Sequence, residues 1–351
     1  MTTFSSSLRA QAAFSLIQAL QTQLLRRLND GADPGRFEPF SWQRDDGRHG
    51  GGTRLTYVGG ERFNRASLNV SHVHYDDRPE RPLGSASALS SIVHPAHPRA
   101  PSLHLHISWT EMKVGGGYWR LMADLNPSMP DDADTSRFLA ALKAASGAHL
   151  DEGIAQGDRY FGIPALGRHR GVAHFYLEQF RAEGDELPRR FGEVMIDAYG
   201  DILRDKLATA KPASPEEAAA QRAYHTVYLF QVLTLDRGTT SGLLVHDQND
   251  LGILGSLPAV VDRALLASWE PAMPKPQNEL LRSLVAALPA SGAVGDAEKL
   301  AFCRILREHY ARHPHALDLQ ARGHTLPPTV ANHHVTPSVE ESRTGGGRRS
   351  G

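Results

Sequence analysis

Between Arg54 and Asp124 the chain carries one alternating apolar–polar run after another, with no helix-length pattern between them. Residues 54–58, 67–74, 103–109 and 118–124 read as strands, because residues two apart in a strand share a face. Residues 87–93 lead into a proline-punctuated loop, His94-Pro95-Ala96-His97-Pro98-Arg99-Ala100-Pro101. The other breaks are glycine turns, such as Gly59-Gly60. Residues 172–180 read as a further strand, and so does the apolar run 228–235, which ends in Asp236-Arg237-Gly238.

Helical patterns flank these strands. Residues 5–29 place Leu16, Ile17, Leu20 and Leu24 at helical spacing, and Gly31 and Pro34 stop the helix. Residues 133–146 put Phe138, Leu139 and Leu142 on one face, and Phe191 to Ile202 mark a long helix. Ser214 with Glu217 suits a capping box. Residues 258–269, 279–288 and 297–309 follow as helices. Strands and helices do not alternate as βαβ units, so the expected fold class is α+β with an antiparallel sheet. One domain is expected over residues 1–335, with one core from residue 5 to about 310, and a disordered tail over 336–351.

Charge and composition exclude several functions. Lys and Arg number 38 against 39 Asp and Glu, so no basic excess exists to bind nucleic acid. No apolar run approaches the roughly 20 residues of a membrane span, and the amphipathic start does not resemble a signal peptide. A cytoplasmic protein is expected. Cys303 is the only cysteine, which excludes an internal disulfide and a cysteine-based zinc site.

Among the 18 histidines, two His-x-His pairs stand out, His72/His74 and His104/His106. Each pair shares one strand face and suits either a metal ion or a hydrogen-bonded wall. The second pair, with Glu111 and Gly117, loosely imitates the iron or manganese strand of a cupin. Gly50–52 and Gly115–117 lack the lysine and helix of a phosphate loop, and read as turns or close backbone approaches. Asp124 ends a strand before a turn, and Asp236-Arg237 closes the apolar run.

Seven segments in order are more specific than any one: SWQRDDGRHGGG (41–52), LNVSHVH (68–74), VHPAHPRAPSLHLH (93–106), GGGYWRLMADLNP (115–127), RGVAHFYLEQF (170–180), LDRGTTSGL (235–243) and ILGSLPAVV (253–261). Over roughly residues 37–270 the chain resembles the oxygen-dependent coproporphyrinogen III oxidases. The resemblance implies a flat antiparallel sheet covered by helices on both sides, and a homodimer. It implies oxidative decarboxylation of two coproporphyrinogen III propionates to vinyls in haem biosynthesis. Molecular oxygen is the co-substrate, and no flavin, nicotinamide or haem is needed.

By the same resemblance His104 is the catalytic histidine, His94 the first histidine of the proline loop, and Asp124 the acid that handles a pyrrole N–H proton. Arg170, Asp236 and Arg237 complete the catalytic set, with the arginines holding carboxylate or charge on oxygen. Ser90 binds substrate, as do His94, His106 and Ser108. These last two stand where the family has asparagine and arginine, so one carboxylate anchor is replaced. His246-Asp247-Gln248-Asn249 replaces a second arginine loop, and Ala173 and His174 replace glycines. Two histidines elsewhere assigned to metal fall at Leu139 and Ala165, so no tightly bound metal is expected. Asp124→Asn is expected to lower turnover with little change in melting temperature. The readings in order are a divergent oxidase, a paralogue acting on another electron-rich heteroaromatic carboxylate, a non-catalytic tetrapyrrole binder, and the cupin-like metal oxygenase.

Overall fold

The computed structural model describes residues 2–29, 35–181 and 184–321. The expected helix stops at Gly31 and Pro34 and the tail from Thr336 lie outside them. Helix α1 (Leu8–Leu28) comes first, capped by the Ser7 side chain. Six strands follow: β1 (Arg36–Gln43), β2 (Gly50–Val58), β3 (Phe63–His74), β4 (Leu83–Pro95), β5 (Ser102–Met112) and β6 (Gly117–Asn126). Then come α2 (Asp132–Ser146), α3 (Leu150–Phe161), a small ribbon of β7 (Gly162–Ile163) and β8 (Arg168–His169), and strand β9 (Ala173–Phe180). The rest is helical: α4 (Glu186–Ala208), α5 (Pro215–Thr234), α6 (Arg237–Val245), α7 (Asp250–Ile253), α8 (Arg263–Ser268), α9 (Gln277–Ala287) and α10 (Asp296–Arg312).

The main sheet has seven strands in the order β1-β2-β3-β4-β5-β6-β9, and every neighbouring pair is antiparallel. Short connections make a meander of its first six strands; alternation predicts β2, β3, β5 and β6, while β1 is not predicted and β4 only as the lead into the proline loop. Strand parity then divides the molecule. Leu103, Leu105 and Ile107 of β5, Leu121, Ala123 and Leu125 of β6, and Phe175 of β9 pack in one core with residues of α1, α2 and α4. The even-numbered residues of β5 point to the other face, under α5. The helices there build a second core with Phe230, Leu233, Leu254, Leu284 and Phe302. One continuous core was expected; among the described residues a seven-stranded sheet separates two large cores, and Met122, Tyr160, Phe161 and Tyr176 form a third, small cluster.

The run 228–235 is not a strand but the second half of α5. A helix buried all round carries no amphipathic period, so it reads like a buried strand. Residues Tyr224 to Thr234 are all buried. The Ser214–Glu217 capping box sets the start of this helix as expected. Residues 258–262 are likewise not helical; Asp262 caps α8, which begins only at Arg263. The C-terminal helices brace the ends of α5 and α6. Gln277 Nε2 donates to Thr234 O (2.9 Å), Arg307 Nη2 to Leu243 O (2.7 Å), and Gln320 Nε2 to Thr240 Oγ1 (2.7 Å).

Helix α3 packs against the edge strand β9, which protects that edge from pairing with another chain. Gly153 makes this approach possible. A Cβ there would lie 2.0 Å from Phe175 Cε2. Gly153→Ala is therefore expected to cost about 1–3 kcal/mol through overpacking, read as a lower urea midpoint; an unchanged midpoint would show that α3 yields at no cost.

Candidate active site

The polar face of the sheet and the helices above it enclose a cavity of about 270 Å³. Strands β3 to β6 form its floor, and α5, α6 and α7 contribute its roof. Strand register decides which side chains meet there. His104 pairs with Asp124 across β5–β6, His106 with Met122, and Ser108 with Arg120. On the other side Ser90 pairs with His106 and Ala88 with Ser108.

Asp124 and Arg170 form a fully buried ion pair on the same face of the sheet, beyond His104 at the end of this floor. Arg170 Nε and Nη2 donate to Asp124 Oδ2 at 3.1 and 2.7 Å, and Nη1 donates to Gln231 Oε1 at 2.6 Å. Asn126 Nδ2 donates to the same Asp124 oxygen at 2.9 Å. Burial opposes the charge on Arg170, but Asp124, with Tyr228 and Tyr224, outweighs it and raises the guanidinium above its ordinary value. Gly171, which follows, has φ +77°, and a Cβ there would lie 2.8 Å from Asp124 Oδ1. Glycine at 171 is what lets the backbone wrap this closely around the carboxylate. His174 Nε2 donates to Arg170 O (2.5 Å) and lies 3.6 Å from Asp124 Oδ1.

The pair controls His104. Arg170 Nη2 donates to His104 Nδ1 at 2.8 Å. A guanidinium has no acceptor, so Nδ1 must offer its lone pair. Burial, then Arg170 and His106, push the His104 pKa well below its ordinary value. His104 is therefore a neutral imidazole with its proton on Nε2, in the wall of the cavity. Next to it, His106 Nε2 hydrogen-bonds Ser108 Oγ at 3.0 Å. Burial and Arg120 lower the His106 pKa to about 3.

Asp236 supplies the only Asp or Glu carboxylate in the cavity lining among the described residues. It is the N-cap of α6, not the end of a strand. Its Oδ1 accepts from Thr239 N (2.8 Å) and from Tyr160 OH (3.1 Å). Its own backbone N donates to Gln231 O at 2.9 Å, so Gln231 joins it to Arg170.

Ser90, His104, His106, Ser108 and Asp236 thus share one cavity. Asp124 and Arg170 are joined to it through His104 but do not line it. Arg170 cannot hold a substrate carboxylate, because Asp124, Gln231 and His104 occupy its guanidinium. Arg237 turns away, donating to Leu317 O at 2.5 Å. His94 is fully buried, bound to Ser102 Oγ at 2.9 Å and edge-on to Tyr228. Gly115 and Gly116 form the β5–β6 hairpin turn, with φ of +90° and +74°, at the opposite end of β6 from Asp124.

The cupin-like set comes apart by parity. Glu111 is odd-numbered and accepts from Ser7 Oγ (2.8 Å) on the α1 side, away from His104 and His106. His72 and His74 also face that side. Ser5 N donates to His72 Nε2 (3.1 Å), and His72 Nδ1 meets Ser87 Oγ at 2.8 Å. Among the described residues no three His, Cys, Asp or Glu side chains gather to hold a metal ion.

Arg120, Tyr160, Tyr176 and Gln231 belong to the site and were not expected. Arg120 was legible, since it lies two alternations before Asp124 on one strand face. Gln231 was hidden by reading its helix as a strand, and nothing local marks Tyr160.

The family model described as coproporphyrinogen III oxidase matches residues 12–287. The oxygen-dependent coproporphyrinogen-III oxidase of Rickettsia bellii is 30% identical over 253 residues, covering 66% of this chain and 86% of its own length. That of Rickettsia akari is 30% identical over 250 residues, 65% of this chain and 85% of its own. The mitochondrial enzyme of Rattus norvegicus is 26% identical over 292 residues, 75% of this chain and 64% of its own. With more than half its length matched, and with the motif histidine, aspartates and Arg170 joined in one network beside one cavity, the chain belongs to the coproporphyrinogen III oxidase family.

Proposed function

We propose that the chain decarboxylates coproporphyrinogen III oxidatively, turning two propionates into vinyl groups with molecular oxygen and no further cofactor. Each turn balances as propionic side chain plus oxygen giving vinyl, carbon dioxide and hydrogen peroxide. The observation that carries this reading is the neutral His104 held by the buried Arg170–Asp124 pair at the cavity wall. An Nε2–H donor fixed in one tautomer at the cavity wall stabilises negative charge growing on reduced oxygen. Asp236 takes the role first expected of Asp124: its carboxylate reaches the cavity and holds or receives a pyrrole N–H proton. Asp124 and Arg170 act as positioning residues.

The replaced anchors at His106 and Ser108 favour the second reading, a paralogue with the same oxygen chemistry on another electron-rich heteroaromatic carboxylate. Either enzyme works as a cytoplasmic homodimer on this proposal; among the described residues no helix is long and apolar enough to cross a membrane. The test is oxygen uptake with freshly reduced coproporphyrinogen III and detection of the two-vinyl product. His104→Ala is expected to lower turnover about 100-fold or more while remaining folded. Uptake only with other heteroaromatic acids would replace the first reading by the second, and wild-type turnover in His104→Ala would remove His104 from the chemistry.

A further inference from the structure

One cation in the cavity has no role in the network above. Arg120 is the only Arg or Lys in the lining among the described residues. No hydrogen bond or ion pair reaches its guanidinium from any described residue, and its Nε is buried without a partner. Tyr176, Tyr118, Glu178 and Tyr160 lie close enough to act on its charge. Burial opposes that charge, but these neighbours outweigh it, so Arg120 stays cationic.

Space is left in front of it. Arg120 stands opposite Ser108, and Ser108 stands opposite Ala88, so two small side chains border it on the floor. Glu178 acts on this charge only through space: no hydrogen bond joins it to the half-buried guanidinium, so the fork keeps its donors for a ligand. A guanidinium fork binds a carboxylate through two parallel hydrogen bonds.

We propose that Arg120 is the anchor for a carboxylate of the bound molecule, moved one strand across from position 108. The proposal rests on the family reading for the class of molecule, a flat heteroaromatic acid. Position 120 lies four residues along β6 from the level of His104, or about 13 Å at strand spacing. The ligand is therefore extended, with a carboxylate at the end remote from His104.

The test measures binding of coproporphyrin III, indole propionate and pyrrole carboxylate to the full chain, with the methyl esters as neutral controls. Arg120→Met is expected to weaken at least one of the acids about 10- to 100-fold, leave its ester unchanged, and keep or raise the melting temperature. Arg120→Lys should recover part of the loss. If coproporphyrin III binds wild type and Arg120→Met equally and no other acid is weakened, the anchor is wrong and the family substrate stands. If only another acid binds, and does so through Arg120, the anchor stands and coproporphyrinogen is not the substrate. If no acid binds wild type more tightly than its ester, or if Arg120→Met destabilises the fold, the anchor is wrong.

Discussion

Asp124→Asn should destabilise the fold by about 3–5 kcal/mol, the range for removing one partner of a buried ion pair. Sequence reasoning predicted a loss of turnover with little change in melting temperature, and the structure argues otherwise. Asp124 and Arg170 are both fully buried. Asparagine is the same size and its oxygen can still accept from Arg170, so packing and one hydrogen bond survive. What goes is the negative charge, and no other carboxylate lies within ion-pair distance of Arg170 among the described residues. Gln231 and His104 offer only neutral acceptors. Urea denaturation of the single variants and of Asp124→Leu/Arg170→Met measures the effect. Each single change should lower the midpoint strongly, and the double change should recover much of the loss, because no unpaired charge remains. A wild-type midpoint for Asp124→Asn would mean that the pair is not ionised in the folded protein. Turnover should fall too, since His104 loses its fixed tautomer when Arg170 loses its place.

The sheet was legible because its signal is local. Alternation along β5 and β6 shows which residues share a face, so it places His104, His106 and Ser108 together and sends Leu103, Leu105 and Ile107 to the other core. The site was legible only in part, because motif position and cavity position are different things. Asp124 and Arg170 carry the motif, yet the helix layer over the sheet buries them beyond His104, at the end of the cavity floor. Arg237 sits beside Asp236 in sequence, but at the start of α6 the two side chains diverge: Asp236 caps the helix and Arg237 reaches Leu317. Helix α5 shows where periodicity fails. Its half near Gln231 is surrounded on every side, so burial erases the pattern that separates helix from strand. Its far end, which keeps an exposed face and a capping box, was read correctly.

Acid should unfold this protein steeply between pH 6.5 and about 4. Four buried histidines set that window. Burial, then His74, lowers the His72 pKa to about 4; burial and Arg120 lower His106 to about 3; burial lowers His225 to about 4, and burial, then His313, lowers His309 to about 4. In the unfolded chain each returns to its ordinary value near 6.5. Above that value both states are neutral at these sites and stability does not depend on them. As pH falls below it, the unfolded chain takes up protons that the folded protein refuses. Each histidine then removes about 1.4 kcal/mol per pH unit, until the folded site itself titrates. From pH 6.5 to 5, with the unfolded imidazoles half protonated at the start, the four together remove about 6 kcal/mol, comparable to the whole stability of many domains. His94 and His104 are buried and shifted the same way, so they steepen the fall. Asp45 and Asp76, whose pKa values lie below the ordinary carboxylate range despite partial burial, act in a lower window. Their hydrogen bonds and neighbouring charges are lost only below about pH 4, as carboxylates protonate. Urea midpoints from pH 8 to 4.5 test this. The slope should be near zero above pH 7 and correspond to at least three protons between 6 and 5. His72→Gln lies on the far side of the sheet from the cavity, so it should reduce that slope by one proton while leaving the cavity unchanged. A flat profile from pH 7 to 5 would mean that water reaches these imidazoles and that their surroundings are not sealed.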